Sequence, residues 1–280
     1  MSISLEITFV IILGLCLGSF VNVVVYRLPR MLVAQWEREA RAILTLAPAA
    51  EPPTLTLAAP RSHCLHCQAP IAWHDNIPLL GWLKRRGKCA QCNTAISYQY
   101  PLVEAFSALL ALAVWSQLGT SLMGLCVLLA CFALLALALI DWHTQLLPDA
   151  ITLPLLWSGL LFTLCFRPQS LDDAVIGAML GYGLLWCVYW LFKLMTGKEG
   201  MGYGDFKLLA ALGAWVGWQQ LPLILLASAG TGAVVGLLLL AVSGKQRGAV
   251  MPFGPFLAFG GWLSLLTDDG IMSRYWMMGG

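Results

Sequence analysis

The sequence predicts an all-α polytopic membrane protein with about eight transmembrane helices, and three observations support this. Of the 280 residues, 59% are apolar and only 11% are charged, whereas soluble domains carry about 25% charged residues. Apolar runs recur along the chain, most of them near the ~20 residues that a helix needs to cross a bilayer. The basic residues are concentrated in the segments that would join these runs on one side of the membrane.

The first apolar run covers residues 7–26 and has no Lys or Arg before it. A secretory signal peptide has a basic start and a shorter apolar core. We therefore expect residues 1–26 to form a retained transmembrane helix.

Residues 27–100 differ from the rest of the chain. They hold nine of the sixteen basic residues and four clustered cysteines. Residues 31–46 have helical spacing, and residues 48–60 form a linker rich in Pro, Ala and Thr. This composition predicts an extramembrane domain between the first and second transmembrane helices.

Apolar runs dominate residues 101–267, where we expect a transmembrane bundle, followed by a tail at 268–280. The run at 208–218 is short, about 16 Å as a helix. It is either a partial or tilted span, or it is fused to the run that follows. The runs lie at 101–118, 121–140, 150–166, 174–192, 208–218, 221–243 and 252–267.

The distribution of charge predicts the orientation. If all eight runs cross and the N-terminus is periplasmic, fourteen of the sixteen basic residues are cytoplasmic, and only Arg167 and Arg274 are not. This agrees with the positive-inside rule for a bacterial inner membrane, with lipid as the main solvent and the tail at 268–280 in the periplasm. The net charge of +2, without a basic stripe interleaved with aromatics, gives no reason to expect nucleic acid as a partner.

Three aspartates lie beside apolar runs. Asp149 precedes a run and suits the role of an N-cap, whereas Asp141 ends a run, where the helix dipole opposes a negative charge. Asp205 follows a glycine-rich segment and precedes a run, so capping is also compatible with it. Ionisable groups at membrane depth are costly and are functional candidates.

The segment before Asp205 contains glycines at 200, 202 and 204. Glycine permits unusual backbone conformations and close approach of another chain, which a protease needs when it binds an extended substrate. If Asp141 and Asp205 meet, they would share a proton, because two adjacent carboxylates do not both ionise easily. One would then activate water and the other would protonate the peptide carbonyl.

The clustered cysteines form two Cys-x-x-Cys pairs, Cys64 with Cys67 and Cys89 with Cys92, separated by 21 residues. Such pairs suit a tetrahedral zinc site that is structural, because four thiolates leave no open position. Free or redox-active thiols are the alternative. His63 or His66 would be able to replace one cysteine, although four thiolates are the simpler set.

Together these segments resemble the prepilin leader peptidases of type IV pilus and type II secretion systems, within the Gly-x-Gly-Asp class of intramembrane aspartyl proteases. The match covers most of the chain in the expected order, and Leu65 departs from the proline common in the first cysteine pair. The matching segments are Gly18-Ser19-Phe20-Val21-Asn22-Val23, the two cysteine pairs with Asn76-Ile77-Pro78 between them and Tyr100-Pro101 and Glu104 after, residues 141–149, and Gly202-Tyr203-Gly204-Asp205-Phe206-Lys207.

The resemblance implies an enzyme that cleaves a short basic leader from prepilin-like or pseudopilin substrates, after a glycine. It then methylates the new N-terminal amine with S-adenosylmethionine. By the resemblance, Asp141 and Asp205 are catalytic, and the supporting residues are Asp149, Gly202, Gly204 and Lys207. The cofactor site stays unassigned, although Gly18, Asn22 and Glu104 flank the cytoplasmic domain.

Three other classes of protein share some of these features. A thiol–disulfide oxidoreductase would place reactive cysteines in an oxidising compartment, and a proton-coupled transporter would place acids near the midplane with repeat symmetry. A structural subunit of a secretion system would leave the glycine-rich segment unexplained. For the protease, we expect four acids to offer negative charge to the basic leader. These are Glu51, Asp75, Glu104 and Glu199.

Overall fold

The computed structural model describes residues 3–46, 55–198, 200–243 and 251–267. Within these ranges the regular structure is helical and contains no strand beyond isolated bridges. Six helices are long and apolar enough to cross a membrane. The predicted all-α, multi-pass class is therefore confirmed. The chain forms two compact units, Met1–Ala113 and Val114–Gly280.

Helix α1 runs from Ile3 to Ile43 without interruption and contains Pro29. Its 41 residues extend for about 62 Å, twice the ~30 Å hydrocarbon core. The predicted end of the first span at Tyr26 is therefore not the end of the helix. The helical spacing predicted for residues 31–46 is confirmed as far as Ile43.

Small residues hold α1 against α3 (Gln99–Leu118) in the first unit. A Cβ atom on Gly14 would lie 2.7 Å from the Cα of Ala108, and one on Gly18 would lie 2.6 Å from the side chain of Ser107. Glycines four residues apart let two membrane helices approach closely. Between these helices lie a 3₁₀ turn, Trp73–Asp75, and the short helix α2, Leu80–Lys84.

The second unit is a bundle in which α4 and α7 are the most buried helices. Of the 12 residues of α7 that follow its first two, 11 are buried, and Lys207 is the partly exposed exception. Helices α5, α6 and α9 pack around α7, and α9 also contacts α4 and α8. The helices are α4 (Leu122–Thr144), α5 (Asp149–Phe166), α6 (Leu171–Thr196), α7 (Tyr203–Val216), α8 (Leu221–Ser243) and α9 (Gly254–Thr267).

Close glycine contacts explain how the short α7 is buried. A Cβ atom on Gly213 would lie 2.2 Å from the carbonyl oxygen of Gly177 on α6, and one on Gly181 would lie 2.6 Å from that of Leu209. Helix α7 ends at Gly217, whose φ of +83° breaks the helix before α8. The alternative in which the run at 208–218 is fused to the next run is therefore wrong.

The count of eight spans stays a prediction. Helices α7 and α9 each have 14 residues, about 21 Å, which is shorter than the hydrocarbon core. Several predicted segments lie outside the described residues, namely positions 48–54 of the linker, the basic positions of 244–250, and the tail at 268–280. The domain boundaries also remain a prediction.

Candidate active site and metal centre

Asp141 lies three residues before the end of α4 and is only 5% exposed. Its Oδ2 accepts a hydrogen bond from the backbone N–H of Gly254 at 2.9 Å. Gly254 is the first residue of α9, and the first N–H groups of a helix have no partner within the helix. The dipole of α4 disfavours a negative charge on Asp141. The N-terminus of α9 faces the same carboxylate and stabilises that charge.

Asp205 lies in the first turn of α7 and is 7% exposed. Gly202, not Asp205, is the N-cap of this helix, so Asp205 is not a capping residue. Its Oδ1 is buried and has no hydrogen-bond partner among the described residues. A buried carboxylate oxygen without a donor is unfavourable, so this atom is available to a proton, a water molecule or a substrate.

The two carboxylates belong to one site. Asp141 is near enough for a charge on it to oppose a charge on Asp205. Leu147, on the segment after α4, packs against both Gly204, which precedes Asp205, and Gly254, which binds Asp141. A Cβ atom on Gly204 would lie 2.7 Å from the Cβ of Leu147, and one on Gly254 would lie 3.2 Å from its Cδ2. Folding therefore brings together two aspartates that 63 residues separate in the sequence.

The glycines before Asp205 act through their small size. Neither Gly202 nor Gly204 has a positive φ, so the backbone here does not use the conformational freedom of glycine. A Cβ atom on Gly204 would collide with Leu147, and one on Gly200 would lie 2.9 Å from the ring of Phe192. Gly202, by contrast, has open space around its Cα.

Asp149 does not cap α5. The N-cap is Pro148, which has no side chain able to accept a hydrogen bond, and Asp149 is the first helical residue. Its two carboxylate oxygens accept hydrogen bonds from Lys207 Nζ at 2.7 and 2.8 Å. The capping interpretation is therefore wrong: Asp149 links the start of α5 to the first turns of α7. The pair is partly exposed, with 54% of the Asp149 side chain and 31% of the Lys207 side chain accessible.

The four clustered cysteines form a single site. Their sulfur atoms all lie within 4.8 Å of one another. The Cys64–Cys92 and Cys67–Cys89 sulfur pairs are 3.8 and 3.9 Å apart. Four thiolates bound to one zinc ion at ~2.3 Å lie about 3.8 Å apart, whereas a disulfide needs ~2 Å. The donor set and spacing fit a zinc ion.

Each cysteine pair occupies the same kind of turn. In the first, the Cys64 N–H donates to the Ala69 carbonyl and Gln68 has a φ of +59°. In the second, the Cys89 N–H donates to the Thr94 carbonyl and Asn93 has a φ of +56°. The two turns present their sulfurs to a common centre.

The thiols of the module differ in acidity, and basic side chains lie beside them. Burial and the neighbouring cysteine sulfurs raise the pKa of Cys67 to about 11. The Thr94 hydroxyl, 3.3 Å from Cys92 Sγ, lowers the pKa of that thiol to about 5. Nearby, Arg85 holds the pKa of Asp75 at about 2 through its hydrogen bond, and Lys84 also contributes. Asp75 accepts from Arg85 Nε at 2.9 Å and from Lys84 Nζ at 3.0 Å.

The residues that flank the extramembrane domain, Gly18, Asn22 and Glu104, meet in the first unit, and a role for them in binding S-adenosylmethionine stays a prediction. Gly18 packs against α3, and Glu104 Oε2 accepts from the Leu79 N–H at 2.7 Å. Asn22 Nδ2 donates to the carbonyl of Tyr100 at 3.3 Å, which leaves only its buried Oδ1 without a partner. These residues join helices and a loop.

Two of the four acids expected to bind a basic leader, Asp75 and Glu104, already have partners. The Asp75 side chain is 7% exposed and paired with two cations, and Glu104 is also 7% exposed and occupied. The prediction for these two residues is wrong, because a charge that is already paired and buried offers little to a new partner. Glu51 and Glu199 lie outside the described residues.

The sequence did not identify two residues that contact the aspartate site. Gly254 donates to Asp141, and Leu147 fills the space between Gly204 and Gly254. The signal for Gly254 is its setting, Pro252-Phe253-Gly254-Pro255, directly before an apolar run. Leu147 carries no signal of its own, because leucine is common throughout this chain.

Comparison with known proteins gives a consistent result for both halves of the chain. Residues 12–118 match the bacterial peptidase A24 N-terminal domain, and residues 128–237 match the type IV leader peptidase family. No solved structure matches the chain.

Curated relatives match nearly the whole length. A prepilin leader peptidase/N-methyltransferase from Aeromonas hydrophila is 50% identical over 97% of this chain and 94% of the relative. Proteins of the same name from Pseudomonas putida and Stutzerimonas stutzeri are 53% and 49% identical, each over 95% of this chain and 92% of the relative.

Proposed function

The chain belongs to the type IV leader peptidase family, and on that premise we propose that it cleaves the basic leader from prepilin-like substrates and then N-methylates the new N-terminal residue. One observation carries the assignment of the peptidase site. Two aspartates that are distant in sequence, Asp141 and Asp205, are both buried, and Leu147 packs against both Gly204, next to Asp205, and Gly254, which binds Asp141.

The pair is suited to hydrolysis without a covalent intermediate. One carboxylate is ionised and takes a proton from a water molecule, whose oxygen attacks the peptide carbonyl carbon. The other carboxyl group is protonated and gives its proton to the carbonyl oxygen. The tetrahedral intermediate then breaks its C–N bond as the amine leaves with a proton from the pair. Two adjacent carboxylates share one proton in this way because both do not ionise easily.

The surrounding residues position the pair. The Gly254 N–H fixes one oxygen of Asp141, which leaves the other oxygen for water or substrate. The Asp149–Lys207 ion pair holds the start of α5 against α7, two residues after Asp205. Gly204 admits Leu147 beside the site, and Gly202 leaves space for an extended substrate segment.

The cysteine module holds one structural zinc ion through Cys64, Cys67, Cys89 and Cys92. Zinc supplies folding free energy to a module with little regular structure of its own. S-adenosylmethionine is the methyl donor that the family resemblance implies, and its site is not assigned to any residue.

The enzyme lies in the bacterial inner membrane with the zinc module and the aspartates at the cytoplasmic face. The positive-inside distribution of fourteen basic residues supports this orientation. Residues 27–100 then form the cytoplasmic domain, residues 101–267 the transmembrane bundle, and residues 268–280 a periplasmic tail. Substrates of pilus or type II secretion systems would present a basic leader on that face.

The direct test uses the purified full-length enzyme in vesicles with a prepilin-type substrate and S-adenosylmethionine. Mass spectrometry should show loss of the leader, followed by the gain of one methyl group on the mature N-terminus. Mature product supplied without a leader should be methylated without any cleavage. A substrate that stays intact with zinc-loaded enzyme would contradict the peptidase assignment.

A further inference from the structure

Helices α1 and α3 lie side by side and antiparallel, in a register that two contacts define. A Cβ atom on Gly18 would lie 2.9 Å from the Cα of Glu104. One turn further along α1, the side-chain Nδ2 of Asn22 donates a hydrogen bond to the Tyr100 carbonyl at 3.3 Å. Four residues towards the end of α1 therefore correspond to four residues towards the start of α3, so Gly18 and Glu104 lie at the same depth.

The lengths of the two helices give that depth. The apolar run of α1 ends at Tyr26, whose ring packs against the guanidinium of Arg30 at 3.6 Å, and Tyr and Arg are typical of the edge of a membrane span. Gly18 lies eight residues before Tyr26, about 12 Å along the helix. On α3, Glu104 lies 14 residues before the last residue, Leu118, about 21 Å of the ~30 Å hydrocarbon core. Both helices therefore place Glu104 about 10 Å inside the apolar core, on the side of the cysteine module.

A loop of the cysteine module reaches the same depth. The backbone N–H of Leu79 donates a hydrogen bond to Glu104 Oε2 at 2.7 Å. Leu79 has a φ of +58°, which is unfavourable for a leucine. Such a backbone persists only where contacts hold it, so the bond to Glu104 is a fixed feature of the loop. Helix α2 begins at the next residue, Leu80, and it therefore starts within the depth of the apolar core, although the composition of this segment predicts an extramembrane domain.

The side chains of this region suit an apolar surrounding. Leu80 and Leu83 on α2 are 63% and 60% exposed, and Trp73 is 81% exposed. Trp73 begins the 3₁₀ turn that packs on α2, where the Asp75 carbonyl leaves no room for a Cβ atom on Gly81. The turn and the helix therefore form one unit. In water its exposed apolar side chains would be unfavourable, whereas lipid chains solvate them.

Basic side chains follow the apolar ones along the chain. Lys84 and Arg85 bind Asp75 at 3.0 and 2.9 Å. Arg86 and Lys88 are exposed, and neither forms an ion pair with another residue in the part of the chain that the structure describes. Long basic side chains extend from apolar depth to polar surroundings, and anionic lipid headgroups attract them. The charge of this segment is therefore complementary to that of an anionic leaflet.

We propose that α2 and the 3₁₀ turn before it lie within the lipid leaflet on the side of the cysteine module. Trp73, Leu80 and Leu83 then contact acyl chains, and Arg86 and Lys88 contact the phosphates of anionic phospholipids. This inference is independent of the proposed peptidase activity. The cysteine module is anchored in the bilayer between its two flanking spans, and it does not move as a free domain in water. A protein that binds the same face from the water is the competing occupant.

Fluorescence quenching tests the occupant. The fluorescent amino acid acridonylalanine is placed at Leu83 or, as a matched control, at Ile43, an exposed aliphatic residue about 26 Å beyond Tyr26 on α1. The full-length, zinc-loaded protein is placed in nanodiscs of phosphatidylethanolamine and phosphatidylglycerol. Phosphatidylcholine with a doxyl group on carbon 5 of its acyl chain quenches from the leaflet, and acrylamide quenches from the water. We expect the ratio of lipid quenching to acrylamide quenching to be at least fivefold higher at Leu83 than at Ile43.

Equal ratios at the two positions would overturn the proposal, because the face would then be in water and open to a protein partner. Zinc content shows that the labelled module is folded. If the probe at Leu83 lowers the zinc content, the probe is placed at Leu80, where the same ratio is expected.

The double variant Arg86→Gln with Lys88→Gln tests the contacts with headgroups. With the probe at Leu83 and otherwise wild-type protein, replacing phosphatidylglycerol by phosphatidylcholine should lower lipid quenching at least twofold. The double variant should show the lower quenching in both lipids and keep its zinc. Equal lipid quenching of the wild-type sequence in both lipids would reject anionic phospholipid as the partner.

Discussion

The cysteine module takes all four of its ligands from residues 64–92, whereas the aspartate site draws on three helices between residues 141 and 254. In the module, tight turns fix each sulfur pair locally, and a zinc ion bound by the four sulfurs would join the two turns. In the aspartate site, the position of each carboxylate depends on helix packing. The cysteine module should therefore be most sensitive to substitution of its four ligands. The aspartate site should be most sensitive to substitution of the small residues between its helices.

The largest effect is expected from removing metal ligands. Cys64→Ser with Cys67→Ser should abolish the equimolar zinc signal and unfold the module, because zinc contributes about 10–16 kcal/mol to comparable small sites. Metal analysis and limited proteolysis of residues 55–98 measure this. Cys126→Ser on α4 is the control and should keep its zinc. A double variant that still holds one zinc per chain would contradict the four-thiolate site.

A single methyl group should test the packing of the aspartate site. Gly254→Ala places a Cβ atom 2.6 Å from Asp141 Oδ2, so the carboxylate must turn. We expect cleavage to fall about 100-fold, since a misplacement near 1 Å has this effect. Substrate cleavage by purified, folded protein measures it.

Gly230→Ala on α8 is the matched control for Gly254→Ala, because nothing lies within 4 Å of its added Cβ. It should cleave at the wild-type rate. If Gly254→Ala also retained full activity, close packing of Gly254 against the Asp141 carboxylate would not matter to the reaction.

The smallest effect is expected at the Asp149–Lys207 pair, because both side chains are partly exposed. Asp149→Asn and Lys207→Met should each lower the free energy of unfolding by less than about 1 kcal/mol and reduce cleavage only a few-fold. A double-mutant cycle isolates their coupling. Loss of cleavage comparable to that of an aspartate of the proposed pair would instead place Asp149 in the reaction.

The difference between the two regions also explains what the sequence could predict. The spacing of the cysteines was sufficient to predict a metal site, because each Cys-x-x-Cys pair forms one local turn and the cysteines themselves are the ligands. The helices were predictable because apolar runs have a length set by the bilayer. The sequence predicted a run that ends at residue 218 but left open its fusion with the next run, because the sequence alone does not show whether Gly217 breaks the helix.

Contacts between distant segments account for the remaining errors. Asp149 has the sequence setting of a cap, yet Lys207 binds it from 58 residues away. Asp75 and Glu104 appear to be free acids in the sequence, but Arg85 and the backbone of Leu79 occupy them. Gly254 carried a local signal, but its partner Asp141 lies 113 residues earlier. No spacing rule connects such pairs.

The central claim is that Asp141 and Asp205 carry proteolysis together. The most direct measurement is cleavage of a prepilin-type substrate by wild type, Asp141→Asn and Asp205→Asn, with methylation of pre-cut product assayed alongside. Each variant should lose cleavage by about 10²–10⁴-fold, the usual contribution of acid–base catalysis, and should still methylate. Cleavage at the wild-type rate by either variant would contradict the claim, and Asp149 would then be the first replacement to test.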